Sequence, residues 1–176
     1  MARAFIGIGS NIDPQKNIRQ ALRQLAQAVR LTGVSTFYRE PPIERPTEPA
    51  FYNGVVAIET AVPPMRLKQD VLRRIEADLG RRRDPDKYAS RTIDLDLLLY
   101  DDCVVSNNQL TLPDPDILER AFVAIPLCEL APDLLLPGSG LPICRVAARF
   151  AAEDMECLPE YTRLLRNELL IPAPGR

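Results

Sequence analysis

The sequence predicts an α+β fold: a ferredoxin-like βαββαβ sandwich with one antiparallel sheet, an added hairpin and C-terminal helices. Three observations predict it. Short apolar segments alternate with segments of helical spacing in the order strand, helix, strand, strand, helix, strand. The two middle strands follow each other without a helix between them, which suits an antiparallel sheet with helices on one face and the loops, and with them the site, on the other. No linker splits residues 1–152, which read as a single domain, with 153–176 as a C-terminal helical tail.

Each element has its own signal. Ala2 to Ile8 is a short, mostly apolar strand, suited to the sheet centre. Asp13-Pro14 opens a helix over 14–30, with Asp13 as N-cap and Pro14 in the first turn. Ile18, Leu22, Leu25 and Val29 mark its buried face. Val34 to Arg39 is the second strand. The EPPIERPTEP stretch after it has neither period and reads as a long, stiff loop of the kind that often carries function. Ala50 to Thr60 is the third strand. Pro63-Pro64 starts a helix to about Leu79 that buries Leu67, Val71, Ile75 and Leu79, and Gly80 closes it. Thr92 to Tyr100 is the fourth strand, followed by a hairpin around Ser106–Gln109. Pro113-Asp114-Pro115 is a rigid corner. Residues 116–121 form a short helix, Phe122 to Leu127 closes the core as a short apolar segment, and helices follow over 141–152 and 160–170.

The bulk numbers exclude several function classes. A chain of 176 residues with 46% hydrophobic composition can bury about two-thirds of its unfolded surface. A net charge of −2 and a pI near 5.3 give no basis for nucleic acid or an anionic membrane as partner. The apolar run at the N-terminus is too short for a signal peptide, and no stretch approaches the roughly 20 apolar residues of a membrane span. We therefore expect a cytoplasmic protein, acting as a monomer. Cys103, Cys128, Cys144 and Cys157 show no C-x-x-C spacing and have apolar neighbours, which reads as buried thiols in a reducing compartment. The chain has no histidine, which removes Ser-His-Asp and Cys-His catalysis and His-based zinc sites.

The chemistry concentrates in Gly80 to Asp96, GRRRDPDKYASRTIDLD. Arg81, Arg82, Arg83, Lys87 and Arg91 precede Asp94 and Asp96, which period-2 geometry places on one strand face opposite Ile93, Leu95 and Leu97. Paired hard-oxygen ligands suit Mg²⁺, which fills its shell with phosphate oxygens and water. Guanidinium groups suit the same phosphates. The stretch reads as a magnesium–polyphosphate site, or else as a solvated arginine turn beside an edge strand. Two further features stay open. Gly9-Ser10-Asn11 invites a nucleotide-loop reading but lacks G-x-G-x-x-G and G-x-x-x-x-G-K-[ST], so a tight turn is the alternative. Asn53, set beside Phe51 and Tyr52, could hydrogen-bond a flat heterocycle, or Asn53-Gly54 could be a turn or bulge.

IGIGSN at 6–11, FYREPPI at 37–43, FYNGVVAIET at 51–60, RIEADLGRRR at 74–83, SRTIDLDLLLY at 90–100 and LTLPDPDILERAFVAIPLCELAP at 110–132 together resemble one family, the 6-hydroxymethyl-7,8-dihydropterin pyrophosphokinases. The resemblance covers roughly residues 1–150. It implies a transferase of folate biosynthesis that moves a diphosphate from ATP to the hydroxymethyl oxygen of 6-hydroxymethyl-7,8-dihydropterin and leaves AMP. It also implies two Mg²⁺ ions on Asp94 and Asp96, with Arg81 and Arg91 contacting phosphate during transfer. Glu76, Arg83, Tyr88, Leu97, Thr111, Asp114 and Arg120 match ATP-side positions. Glu40, Pro41 and Ile43 match the acceptor loop, Asn53 the pterin hydrogen-bonding residue, and Phe51 and Phe122 the rings that sandwich the pterin. Asp114 stands where the family usually has His, Tyr88 where it usually has Trp, and Glu40 where Thr is more usual. Asp114 in particular favours a competing reading, a catalytically weak or inactive ferredoxin-like module that binds pterin or nucleotide. An RNA-binding sheet of the same topology would need exposed aromatics and a basic face, which the central strands do not offer.

Overall fold

β1 (Ala2–Ser10) runs through the middle of the sheet in a computed structural model that describes residues 1–41, 47–82, 84–85, 89–151 and 155–170. It pairs antiparallel with β4 (Phe51–Thr60) on one side and β5 (Asp94–Tyr100) on the other. The far side of β4 carries β2 (Arg30–Val34) and β3 (Tyr38–Glu40), and β8 (Glu156–Cys157) adds beyond β3. This is the strand order of the predicted ferredoxin-like sandwich, extended by one short strand. β6 (Val105–Ser106) and β7 (Thr111–Leu112) form the separate hairpin.

The strand predicted over Val34 to Arg39 is interrupted at its centre: β2 starts earlier, at Arg30 after α1 ends, and stops at Val34, β3 begins at Tyr38, and Ser35 bridges the break. Its N–H donates to Val55 O at 2.9 Å, while its side-chain oxygen accepts from Val55 N at 2.9 Å. A side chain thus replaces part of the ladder, and the buried backbone stays paired where the strand breaks. Asn53-Gly54 is not a turn. Both lie inside β4, opposite Gly9 and Ile8.

α1 (Pro14–Ala28) buries Ile18, Ala21, Leu22 and Leu25 against the sheet. Asp13 does not cap it through its side chain. It adopts a left-handed backbone, φ 41°, and its carbonyl accepts from Asn17 N at 3.0 Å. The second helix starts as α2 (Pro64–Arg66), widens into π-helical turns over Leu67–Leu72, and resumes as α3 (Arg73–Asp78). The wide turn moves the buried face by one residue. Leu67 and Leu72 enter the core, Val71 is left half-buried, and Glu76 turns inward beside Ile75.

The opposite face of the sheet carries helices too, where loops were expected. α4 (Asp116–Glu119) leads into α5 (Ala121–Leu130), and α6 (Ile143–Ala147) follows. Phe5, Val55, Ala57 and Leu99 pack there with Val123, Ala124, Leu127 and Val146. The stretch from Phe122 to Leu127 is therefore helix rather than an irregular apolar segment. Pro126 hides that from a local reading, because proline is disfavoured inside helices. α6 is shorter than the helix expected over 141–152. Cys128 and Cys144 are not thiols. α5 and α6 bring their Cα atoms to 5.2 Å and they are joined by a disulfide, while Cys103 is half-buried and Cys157 exposed. α7 (Pro159–Leu169) buries Tyr161 and Leu165 in the same core as α1.

Candidate active site

β5 lies at the edge of the sheet, where outward N–H groups have no neighbouring strand. Glu76 serves one of them, its Oε1 accepting from Leu95 N at 2.8 Å. The turn after α3 then brings an arginine to the same carboxylate. Gly80 has φ +76°, Gly80 N donates to Ala77 O at 3.0 Å, and Arg81 N donates to Glu76 O at 3.0 Å. This is a Schellman closure, which folds the chain back over the last helical turn. Arg81 Nη1 consequently binds Glu76 Oε1 and lies 2.6 Å from Asp94 Oδ1. Arg91 binds the other oxygen of Asp94.

Asp94 and Asp96 point to one face, as the alternation requires, and the alternation ends just beyond them. Leu97 pairs with Ile6 and Leu99 with Phe5, which leaves Leu98 as a bulge. The bulge carbonyl accepts from Asp114 N at 2.9 Å, and this anchors the proline corner beside the acids. Asp114 does not reach into the pocket with a free carboxylate. Its Oδ1 accepts from Asp116 N, the first residue of α4, at 2.8 Å.

The cavity between these elements is about 310 Å³. Glu76, Arg81, Arg91, Asp94 and Asp96 line it, together with cations the sequence did not single out, Lys68 and Arg73. Asp96 opens to the cavity, yet the surrounding protein limits its hydration. That burial, then the neighbouring charges of Asp94, Asp114 and Glu76, pushes its carboxyl up to about 8 against the pull of Arg81. Burial also raises Glu76, opposed by the Leu95 N–H and Arg81, and raises Asp114, opposed by the Asp116 N–H. Burial lowers Arg81, but Asp94 and Glu76 outweigh it and hold the guanidinium charged. Two adjacent hard-oxygen donors in an acid-rich pocket fit Mg²⁺. Among the described residues no cluster of three or more ligating side chains cages a metal, so phosphate or water would complete its shell.

Ser10 and Asn11 fasten the 90–92 segment to the end of β1. Ser10 Oγ donates to Thr92 O at 2.6 Å, Arg91 N donates to Asn11 Oδ1 at 2.7 Å, and Asn11 Nδ2 reaches Ser90 Oγ at 3.1 Å. Gly9 and Ser10 are not a turn but the end of β1, opposite Asn53 and Tyr52, and the bend into α1 begins only at Asn11. Opposite Gly9, near the start of β4, the buried Asn53 donates from Nδ2 to Glu40 Oε2 at 3.0 Å.

A family model described as 7,8-dihydro-6-hydroxymethylpterin-pyrophosphokinase matches residues 5–132. The chain belongs to this family. It is a pyrophosphokinase, a transferase of folate biosynthesis. A 2-amino-4-hydroxy-6-hydroxymethyldihydropteridine pyrophosphokinase of Haemophilus influenzae is 38% identical over 158 residues, covering 88% of this chain and 97% of the relative. One of the same name from Methylorubrum extorquens is 41% identical over 141 residues, covering 78% and 88%. In structure, a Plasmodium falciparum HPPK-DHPS triple mutant with STZ-DHP matches with a TM-score of 0.69 at 12% identity, over 86% of this chain and 44% of that one.

The pyrophosphokinase residues implied by the sequence fall into four groups. Glu76, Arg81, Arg91, Asp94 and Asp96 converge in the cavity. Glu40, Pro41, Phe51, Asn53 and Phe122 lie outside its lining. Glu40 and Asn53 are bonded, Pro41 is exposed, the half-buried Phe51 opens β4, and the half-buried Phe122 is the second residue of α5. Leu97 turns its side chain into the core, Thr111 is exposed on β7, and Arg120 pairs with Asp116 at 3.8 Å between α4 and α5. Ile43, Arg83 and Tyr88, with Lys87, lie outside the described residues. Lys68 and Arg73 were missed because they are five positions apart, a spacing that does not share a face on an α-helix but does on the π turn.

Proposed function

We propose that this site transfers the terminal diphosphate of ATP to the hydroxymethyl oxygen of 6-hydroxymethyl-7,8-dihydropterin, with Mg²⁺ held at Asp94 and Asp96. The acceptor oxygen bonds to the β-phosphorus, the bond from that phosphorus to the α–β bridging oxygen breaks, AMP leaves, and the hydroxyl proton is released. The observation that carries the reading is the meeting of Arg81 and Arg91 on Asp94, beside Asp96, in one cavity.

Transfer through a loose transition state needs alignment and charge neutralisation more than covalent help, which suits a chain without histidine. Bound magnesium would neutralise charge on the phosphate oxygens and hold them in line. Arg81 and Arg91, which Asp94 holds in place, are at hand to stabilise the charge on the transferring group. Lys68 and Arg73 extend the cationic wall for the nucleotide phosphates. Asn53, oriented by Glu40, would hydrogen-bond the pterin ring between Phe51 and Phe122. The inactive-module reading rested on Asp114, whose carboxylate is occupied by the Asp116 N–H. We take the working unit to be a cytoplasmic monomer with neither nucleic acid nor membrane as partner.

Purified protein given ATP, Mg²⁺ and the hydroxymethyl-dihydropterin should form AMP, and none without the pterin or with EDTA present. Absence of AMP with all three would sink the reading. Asp94→Ala and Asp96→Ala should each abolish turnover with an unchanged circular-dichroism spectrum. Wild-type-like turnover in either one removes the metal assignment.

A further inference from the structure

The C-terminal part of the chain is built into the sheet beside the acceptor residues, at the edge opposite β5. β8 pairs with β3, setting Tyr38 against Cys157 and Arg39 against Glu156. Just before β3, both backbone groups of Phe37 are taken by this segment. Phe37 N donates to Thr162 Oγ1 at 2.9 Å, and Leu158 N donates to Phe37 O at 2.9 Å. Thr162 is buried, and its hydroxyl donates onward to Leu158 O at 2.8 Å.

Tyr161 completes the contact. Its ring stands edge-on to Phe37 at 5.9 Å and to Tyr52 at 6.0 Å, and its hydroxyl donates to Gln15 O at 2.9 Å. The Phe37 ring in turn lies so close to Gly54 that a Cβ there would come within 2.7 Å of it. Asn53 is thus flanked on both sides by residues that touch this stack, Tyr52 through Tyr161 and Gly54 through Phe37. The opposite strand is equally dependent. β3, only three residues long, carries Glu40, the partner of Asn53.

We propose that β8 and α7 position the acceptor half of the active site, with Thr162 and Tyr161 holding β3 and β4 so that Glu40 and Asn53 meet the pterin. Thr162 and Tyr161 are positioning residues and touch no substrate. The inference rests on the reading that Asn53 and Glu40 receive the pterin. The donor half is held separately, by α2–α3 and β5 at the other edge. A disturbance of α7 therefore separates the two substrates, and a general loss of structure does not.

The test measures pterin and ATP-analogue affinities by calorimetry, with Mg²⁺, on the full chain. Thr162→Val leaves the Phe37 N–H without its acceptor at nearly constant volume. It should weaken pterin binding about tenfold with ATP-analogue binding unchanged, and Thr162→Ser should restore it. Glu156→Pro disturbs β8 from an exposed position and should shift pterin affinity the same way, so it decides the matter if Thr162→Val does not fold. Unchanged pterin affinity in the folded variants, or equal loss for both ligands, overturns the proposal. Wild-type protein that binds no pterin overturns it together with the acceptor assignment. Wild-type protein that binds pterin without turnover sinks only the catalytic reading, and the variants still decide the positioning role.

Discussion

Glu76 accepts from Leu95 N and from Arg81 while lying almost wholly out of solvent. Replacing it with alanine leaves a buried N–H without a partner and a half-buried guanidinium short of one counter-charge. We expect Glu76→Ala to cost about 3 kcal/mol in urea unfolding and to slow turnover sharply. Glu76→Gln keeps an acceptor for Leu95 N and should cost less than the alanine change. The paired acids and the two arginines were legible because they obey simple periods: alternation puts Asp94 with Asp96, and Gly80 announces the turn that delivers Arg81. Glu76 stands out only through the family resemblance, and Lys68 and Arg73 do not stand out at all. Their placement depends on a π turn that no local pattern encodes. The hydrogen bond from Asn53 to Glu40 was equally invisible, because it joins two strands through a register known only once they pair.

At the scale of elements, the closure of α3 sets where Arg81 lands. Gly80 has open space where a Cβ would sit, so Gly80→Ala meets no clash and reports backbone strain alone. It should cost about 1 kcal/mol, a fall in Tm of about 2–4 °C, with a larger proportional loss of turnover as Arg81 shifts. The order of strands and helices could be read from periodicity, since each long element keeps one period for most of its length. The breaks could not. Ser35 divides the second strand by offering its hydroxyl to Val55, and Leu98 bulges so that its carbonyl can receive Asp114 N. Each break is settled by a partner twenty or fewer residues away in sequence but on another element. The disulfide is a further case, since spacing alone gave no hint that α5 and α6 bring Cys128 to Cys144. Alkylation of native, unreduced protein should label Cys103 and Cys157 only, with all four cysteines labelled after reduction and unfolding.

On the scale of the whole molecule, α7 is tied to α1 by charge as well as packing. Burial alone would raise the Glu168 carboxyl, but hydrogen bonds from Arg23 and Arg19 outweigh it and hold the group below the ordinary glutamate value. A depressed folded value means stability that is complete above the unfolded carboxyl's pKa and is lost as pH falls through the folded one. The urea midpoint should therefore drop in acid, and Glu168→Gln should lower it at neutral pH while flattening part of that drop. The contribution is small because these side chains remain partly open to water. The sandwich itself was readable from the sequence, but the depth to which α7 enters it was not, because its burial depends on partners at Gln15, Phe37 and Tyr52. That distance along the chain has a consequence for biogenesis. A chain emerging from its N-terminus lays down β1, α1 and β2 long before α7 exists, so Phe37 and Tyr52 wait on the ribosome with their aromatic partner still unmade. Under the donor and acceptor assignments proposed above, the pterin half of the pocket is thus the last to be completed during synthesis, after the phosphate-binding edge.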